Sequence, residues 1–349
     1  MLTIVVLIAI LIALLFNFLN GMNDAANAIS TVIATKVFTP FQAVCWAALW
    51  NFAAYFIFNV TVAETMGSGI AEEHYMTPYV ILSALLGAAI WVAICTKIGM
   101  PISTSHALIG GIIGPVWFVF GSEALMANGI MIILLFIVLS PILGFLFGYL
   151  MMCLFMALLK NCKAPKVNKV FKKMQLISSA AFSLGHGAND AQKTMGIIAI
   201  LIFSTLQDPT ISDGFKNFLG HVYDIDKGFH VPDSIAIACY LIMSMGTLLG
   251  GSNVIKTLGT GLAKLKPTKG FCAECAGAFT LISASLWGIP VSTTHTITGS
   301  IIGVGVTDGV KSVKWATAKN IVWAWILTIP APLLISGLIY LILHPFVTA

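Results

Sequence analysis

Pro101-Ile-Ser-Thr-Ser-His-Ala-Leu-Ile-Gly-Gly-Ile-Ile-Gly114 returns later in the chain as Pro290-Val-Ser-Thr-Thr-His-Thr-Ile-Thr-Gly-Ser-Ile-Ile-Gly303. Eight of the fourteen positions are identical, and the exchange of Ser105 for Thr294 keeps a hydroxyl. A second pair precedes each copy, Gly21-Met-Asn-Asp-Ala25 and Gly187-Ala-Asn-Asp-Ala191. Two motifs recur in the same order, once per half, so the chain is an internal duplication.

The sequence around these motifs is too apolar for a domain that faces water. Of 349 residues, 58% are hydrophobic and 9% charged, and the mean hydropathy is +0.98. Soluble domains carry about 25% charged residues. That deficit excludes a soluble enzyme, a disordered scaffold and a nucleic-acid binder, and it makes the lipid bilayer the surrounding medium. Apolar runs fall at about 2–20 (continuing, interrupted, to 35), 41–63, 78–96, 101–120, 128–158, 174–206, 232–250, 271–289, 291–306 and 315–343. A span takes about 20 apolar residues, so the reading is an all-α polytopic membrane protein with about ten to twelve spans. Residues 2–16 lack a basic leader region and read as a permanent helix, not a cleaved signal. The seven cysteines are scattered and suggest no disulfide framework. Cys272-Ala-Glu-Cys275 has no second pair to complete a metal site.

Lysines gather at 160–173 and again at Lys256, Lys264, Lys266 and Lys269, whereas loops 64–73 and 208–233 are acidic. The positive-inside rule places 160–173 and 256–269 in the cytoplasm of a multi-pass cell (inner or plasma) membrane protein, with both termini outside. Counted from there, the first half ends inside and the second begins inside. The halves are then antiparallel, the inverted-topology plan of secondary transporters. The expected organisation is a first repeat over 1–159, a short basic linker over 160–173 and a second repeat over 174–349. Segments 78–96 and 101–120 are either two full spans or one re-entrant helical hairpin. Gly110, Gly111, Gly114 and Pro115 favour the hairpin in each repeat, with tips at Ser103–Ser105 and Ser292–Thr294.

Asp24 and Asp190 lie within apolar runs, where a carboxylate costs about 2.5–3.5 kcal/mol and marks a pathway or a partner. With Asn23, Asn27 and Asn189 they form sets of hard oxygens suited to an alkali cation. Interhelical hydrogen bonding is the plainer use of such residues, but duplication of the pair favours function. Pro-x-Ser-Thr-x-His reads as a helix start with hydroxyl caps. Simple capping of two broken helices is one reading; free N–H groups and the positive dipole end favour an anion site, and the hydroxyls of Ser103, Thr104, Ser105, Ser292, Thr293 and Thr294 can follow a tetrahedral oxyanion. His106 and His295 read as structural partners of a carbonyl, with proton transfer the alternative. Lys193 can pair with Asp190 at helical spacing or assist the anion, and the spacing favours pairing. Glu274, deep in an apolar run, needs a partner or a proton. Two carboxylates at the site suggest two cations, one from each half, and hence electrogenic uptake of a monoanion.

Taken together, these residues resemble the inorganic phosphate transporter (PiT) family. The duplicated Gly-x-Asn-Asp element is present at Gly21–Ala28 and Gly187–Lys193, and the Pro-x-Ser-Thr-x-His element at Pro101–His106 and Pro290–His295. Glu64-Thr65-x-Gly67-Ser68, the Gly250–Gly259 stretch and the Glu274 segment are similar to further family blocks, so the likeness runs through the whole chain. The 160–173 linker is short, as in prokaryotic members. The resemblance implies a secondary transporter, not an enzyme, that takes up phosphate by cation symport around a midplane site. It implies phosphate on Ser103, Thr104, Ser105, Ser292, Thr293, Thr294, Asn23 and Asn189. Sodium would sit on Asp24, Asn27, Asp190, Asn23, Asn189 and Glu274, with Glu64, Gln192, Lys193, His106 and His295 in support. Co-transported sodium is the only ion expected, with no organic cofactor, and a homodimer is left open as the assembly. Proton-coupled or metal–phosphate symport and sulfate permeation remain alternatives, ahead of an anion channel or a membrane hydrolase.

Overall fold

A computed structural model describes residues 2–250 and 252–347; Gly251 of the Gly250–Gly259 stretch lies outside them. Among the described residues, fourteen α-helices follow in chain order. The first half holds α1 (Leu2–Ala34), α2 (Pro40–Ala53), α3 (Thr61–Ser68), α4 (Pro78–Ile98), α5 (Thr104–Phe120) and α6 (Ala127–Leu159). The second holds α7 (Ala164–Gln207), α8 (Asp213–Gly220), α9 (Asp233–Leu249), α10 (Ser252–Gly261), α11 (Pro267–Leu286), α12 (Thr293–Val306), α13 (Trp315–Leu327) and α14 (Pro330–Val347). Among the described residues there is no β-strand, only isolated bridges at Ala71–Leu125 and Ala263–Val313.

The order of elements recurs. A long helix carrying Asn-Asp (α1, α7) is followed by a sharply bent pair, directly in the first half and after the short α8 in the second. The bend is 85° between Pro40–Phe56 and Thr61–Gly67, and 79° between Asp233–Leu249 and Asn253–Gly259. A helix–tip–helix unit comes next, α4–α5 and α11–α12. Each tip is entered through a glycine in the left-handed region, Gly99 at φ +75° and Gly288 at φ +68°, which an L-residue adopts only with strain. These two glycines occupy equivalent places two residues ahead of Pro101 and Pro290.

Lipid, not water, explains the surface. On α6 the exposed residues include Met131, Leu135, Val138, Ile142, Leu146, Leu150, Leu154 and Leu158, an apolar stripe at helical spacing. Its opposite face is small: Ser140, Gly144 and Gly148 are buried, the two glycines against Thr296 and Ser300 of α12. Small residues of this kind let membrane helices approach backbone to backbone. Similarly, a Cβ on Gly21 would stand 2.1 Å from the Met243 carbonyl oxygen, and one on Gly246 would stand 2.1 Å from that of Phe18. The α1–α9 crossing therefore admits only glycine at those two points.

Among the described residues, four segments are long and apolar enough to cross a membrane, Leu2–Ala34, Pro78–Ile98, Ala127–Leu159 and Trp315–Pro345, or six if each bent pair counts as one. This is fewer than the apolar runs suggest. Helices α7, α11 and α12 direct polar residues at one another instead of at lipid, so they need not be uniformly apolar. At 44 residues, α7 is about 66 Å long at 1.5 Å per residue, well beyond a hydrocarbon core of about 30 Å.

Charge separates along that helix. The basic stretch 160–173 is a turn only over 160–163; from Ala164 it forms the first turns of α7. Cys162, Ala164, Asn168 and Lys266 line one cavity of about 330 Å³, so the two lysine-rich segments meet there. At the far end of α7, Gln207 and Asp208 face Glu72, Glu73 and His74 across a cavity of about 620 Å³, which brings the two acidic loops together.

Candidate functional site

Between the two apolar cores lies a cluster of buried polar groups. Ala188, Ala191, Ile102 and Ala107 belong to one core, and Ala25, Ala26, Ala28, Val291 and Ile297 to the other. The cluster holds Asn23, Asp24, Asn27, Ser103, Thr104, Ser105, Asn189, Asp190, Lys193, Ser292, Thr293 and Thr294, none more than 4% exposed. All the Asn-Asp and Ser-Thr residues singled out in the sequence are thus brought together.

Local chemistry sets each tip. Ser103 has φ −90° and ψ 110° and accepts from the His106 N–H; Ser292 has φ −87° and ψ 112° and accepts from the His295 N–H. Both are N-caps, and their own hydroxyl protons remain free to be donated. The first-turn N–H groups of α5 and α12 have no acceptor within their helices. The tips touch: the Thr294 hydroxyl donates to the Ile102 carbonyl at 2.9 Å, and the His106 and His295 rings meet edge to face at 4.8 Å. His295 also stacks on Trp325 and holds Nδ1 3.2 Å from the Ile137 carbonyl, as a structural histidine would.

Contacts are matched across the duplication. Thr104 Oγ1 lies 3.0 Å from Asp24 Oδ2, and Thr293 Oγ1 donates to Asp190 Oδ2 at 2.8 Å. Asn23 donates to the Thr96 hydroxyl at 2.7 Å, and Asn189 to the Ser285 hydroxyl at 3.3 Å. Thr96 and Ser285 hold equivalent places on α4 and α11. Two further contacts cross between halves. Asn27 of α1 donates to the Thr294 hydroxyl of α12 at 2.9 Å, and Lys193 of α7 donates to the Ser105 hydroxyl of α5 at 2.5 Å. A single hydroxyl proton limits Thr104, which also reaches Asn20 Oδ1 at 2.7 Å, to one acceptor at a time.

Lys193 forms the ion pair with Asp190 that their spacing suggests. The residue four before each aspartate was not read from the sequence. Asn20 bonds Thr104, while His186 Nε2 stands 3.1 Å from Asp190 Oδ2 and Nδ1 3.0 Å from Asn51 Oδ1. Their equivalent places in the two halves were the available signal. Donor atoms of Asp24, His186 and Asp190 lie within 4.8 Å of one another.

Three expected residues stand apart. The carboxylate of Glu274 accepts from Gln175 at 2.9 Å and from Ser178. Ser178 precedes Asp190 by 12 residues, about 18 Å along α7, so Glu274 forms a separate centre. Glu64 is exposed on α3. Gln192 donates to the Asn59 carbonyl at 2.7 Å and receives the Val62 N–H at 3.0 Å, pinning the α2–α3 bend to α7.

Fold and site together define a polytopic helical membrane protein with a duplicated, occluded polar centre where paired helix tips meet. The phosphate transporter family model (PHO4) matches residues 20–336, and the chain belongs to that family. It is 44% identical over 305 residues to a probable low-affinity inorganic phosphate transporter of Rhizobium meliloti (strain 1021), covering 87% of this chain and 86% of that one. Identity to the protein of the same description from Bacillus subtilis (strain 168) is 35% over 311 residues, with 88% of each covered. A solved structure described as the sodium-dependent phosphate transporter superposes with a TM-score of 0.85 at 24% identity, covering 98% of this chain and 99% of that one.

Proposed function

We propose that this protein takes up inorganic phosphate by sodium symport, alternating access to the cluster around Asp24 and Asp190. The observation that carries the reading is the meeting of two helix N-termini, rich in hydroxyls, beside two buried carboxylates. Phosphate is held by the first-turn N–H groups of α5 and α12 and by the hydroxyls of Ser103, Thr104, Ser105, Ser292, Thr293 and Thr294. Asn23 and Asn189 border the same space. Such N-termini favour an oxyanion through their N–H groups and dipole, and no arginine stands in the chain.

Asp24 and Asp190 carry two formal negative charges and Lys193 one positive, leaving the centre at minus one. An anion enters that field poorly until a cation has neutralised it. Sodium therefore binds first, near Asp24, where the carbonyl oxygens of Asn23 and Asn27 are buried without a hydrogen-bond partner. Coupling follows from this order, since phosphate without sodium meets uncompensated carboxylate in a medium of low dielectric. Antiparallel halves, with α4–α5 and α11–α12 as re-entrant hairpins and the lysine-rich surface in the cytoplasm, would let the tips part toward either side in turn. Glu274, held by Gln175 and Ser178, is a second oxygen centre outside the central one.

Uptake of labelled phosphate into proteoliposomes, with sodium and proton gradients imposed separately and sulfate as competitor, tests the reading. Sodium-driven accumulation of phosphate, indifferent to sulfate, is the expected result. Accumulation driven by the proton gradient alone, or sulfate taken up as well as phosphate, would replace it with the corresponding alternative.

A further inference from the structure

The duplication puts Asn27 where the other half has Lys193, Ile102 where it has Val291, and Ser105 where it has Thr294. In the second half, the Lys193 ammonium donates to an Asp190 carboxylate oxygen, to the Ser105 hydroxyl at 2.5 Å and to the Val291 carbonyl at 2.8 Å. Its three donors are thus all used, on a carboxylate, a hydroxyl and a carbonyl, the hard oxygens that an alkali or alkaline-earth ion selects. In the first half the same oxygens recur as Asp24, Thr294 and Ile102, linked at 3.5 Å and 2.9 Å, but Asn27 brings no charge to them.

The amide oxygens show the same asymmetry. Asn189 Oδ1 receives the Val291 N–H at 3.3 Å. Its counterpart Asn23 Oδ1, together with Asn27 Oδ1, is buried with no partner. One half has its positive charge and its acceptors satisfied by the chain itself. The other has a carboxylate and two spare carbonyl oxygens.

We propose that Lys193 is a tethered cation that fills the second of two repeat-related cation positions, so that one exchangeable monovalent cation, at Asp24, accompanies each phosphate. The inference rests on the coupled-transport reading above and replaces the expectation of one cation per carboxylate. It makes uptake of monoanionic phosphate electroneutral.

Steady-state accumulation decides it. Purified protein in liposomes, with potential clamped at zero by potassium and valinomycin and equal pH on both sides, is given a series of sodium gradients. The slope of log phosphate accumulation against log sodium gradient counts sodium ions per phosphate. A slope of one is expected for the wild type and for Lys193→Arg, and a slope of two for Lys193→Asn, which copies the first-half pattern. A wild-type slope of two overturns the inference while leaving sodium coupling intact, as does an active Lys193→Asn protein whose slope stays at one. A wild-type slope of zero overturns sodium coupling itself and the inference with it. Should Lys193→Asn fail to fold, equilibrium binding of radioactive sodium to the wild type still decides: one ion per chain supports the tethered cation, and two overturn it.

Discussion

The side-chain amide of Asn27 donates to the hydroxyl of Thr294 at 2.9 Å across 267 residues of sequence. Lys193 makes the mirror contact, from the second half back to Ser105 in the first. Each tip is therefore bound both to the Asn-Asp helix of its own half and to that of the other. Movement at one tip disturbs contacts of both Asn-Asp helices, which would serve the cation–phosphate coupling proposed above.

Asp24 is the carboxylate without an ammonium beside it. Asp24→Asn keeps the size of the side chain and removes the charge proposed above to hold a cation. A hydrogen bond to a charged group is worth about 1.5–3 kcal/mol, so sodium-driven uptake should fall about 10- to 100-fold or more with folding retained. Proteoliposome uptake beside a thermal melt checks this; wild-type sodium dependence in the variant would refute the assignment.

Thr104→Val and Thr293→Val each remove a hydroxyl that lies against a buried carboxylate while conserving volume. Both should raise the phosphate KM, by about 10- to 100-fold on the same scale. The effects should be of similar size, because the two contacts are matched at 3.0 Å and 2.8 Å. Serine at either position should restore most of the loss, whereas an effect confined to one threonine would argue against a shared site.

Ser105 and Thr294 are at most 4% exposed here, so transport requires the tips to part. Cysteine at either position should react with a small thiol reagent in the absence of substrate and be protected by sodium with phosphate. Labelling that ignores phosphate would count against tips that close on it.

Gly21→Ala places a methyl group against the Met243 carbonyl and forces α1 away from α9. Overpacking of this kind costs about 1–3 kcal/mol, which should lower the melting temperature of the detergent-solubilised protein. Gly214 gives the control, because a Cβ there would meet no atom within 4 Å. Gly214→Ala should melt at or slightly above the wild-type temperature.

Composition and periodicity determined much of this molecule before any tertiary contact. A chain with 9% charged residues must satisfy its backbone within helices and face lipid. The duplicated motifs identified both aspartates and all six tip residues, because a carboxylate or a broken helix inside an apolar run is costly enough to require a reason. Lys193 and Asp190 were legible as a pair, since residues three apart on a helix are neighbours whatever surrounds them. Glu274 was misleading in one respect. Its burial signals the need for partners, but the nearest oxygens and amides were those of Gln175 and Ser178, not those of the central cluster. Only the tertiary structure decided that Asn27 meets Thr294 and that Lys193 meets Ser105 and Val291. Those contacts depend on where helices cross, and the crossings are set by backbone approaches such as Gly21 to Met243. Helical spacing carries no information about a neighbour 267 residues away.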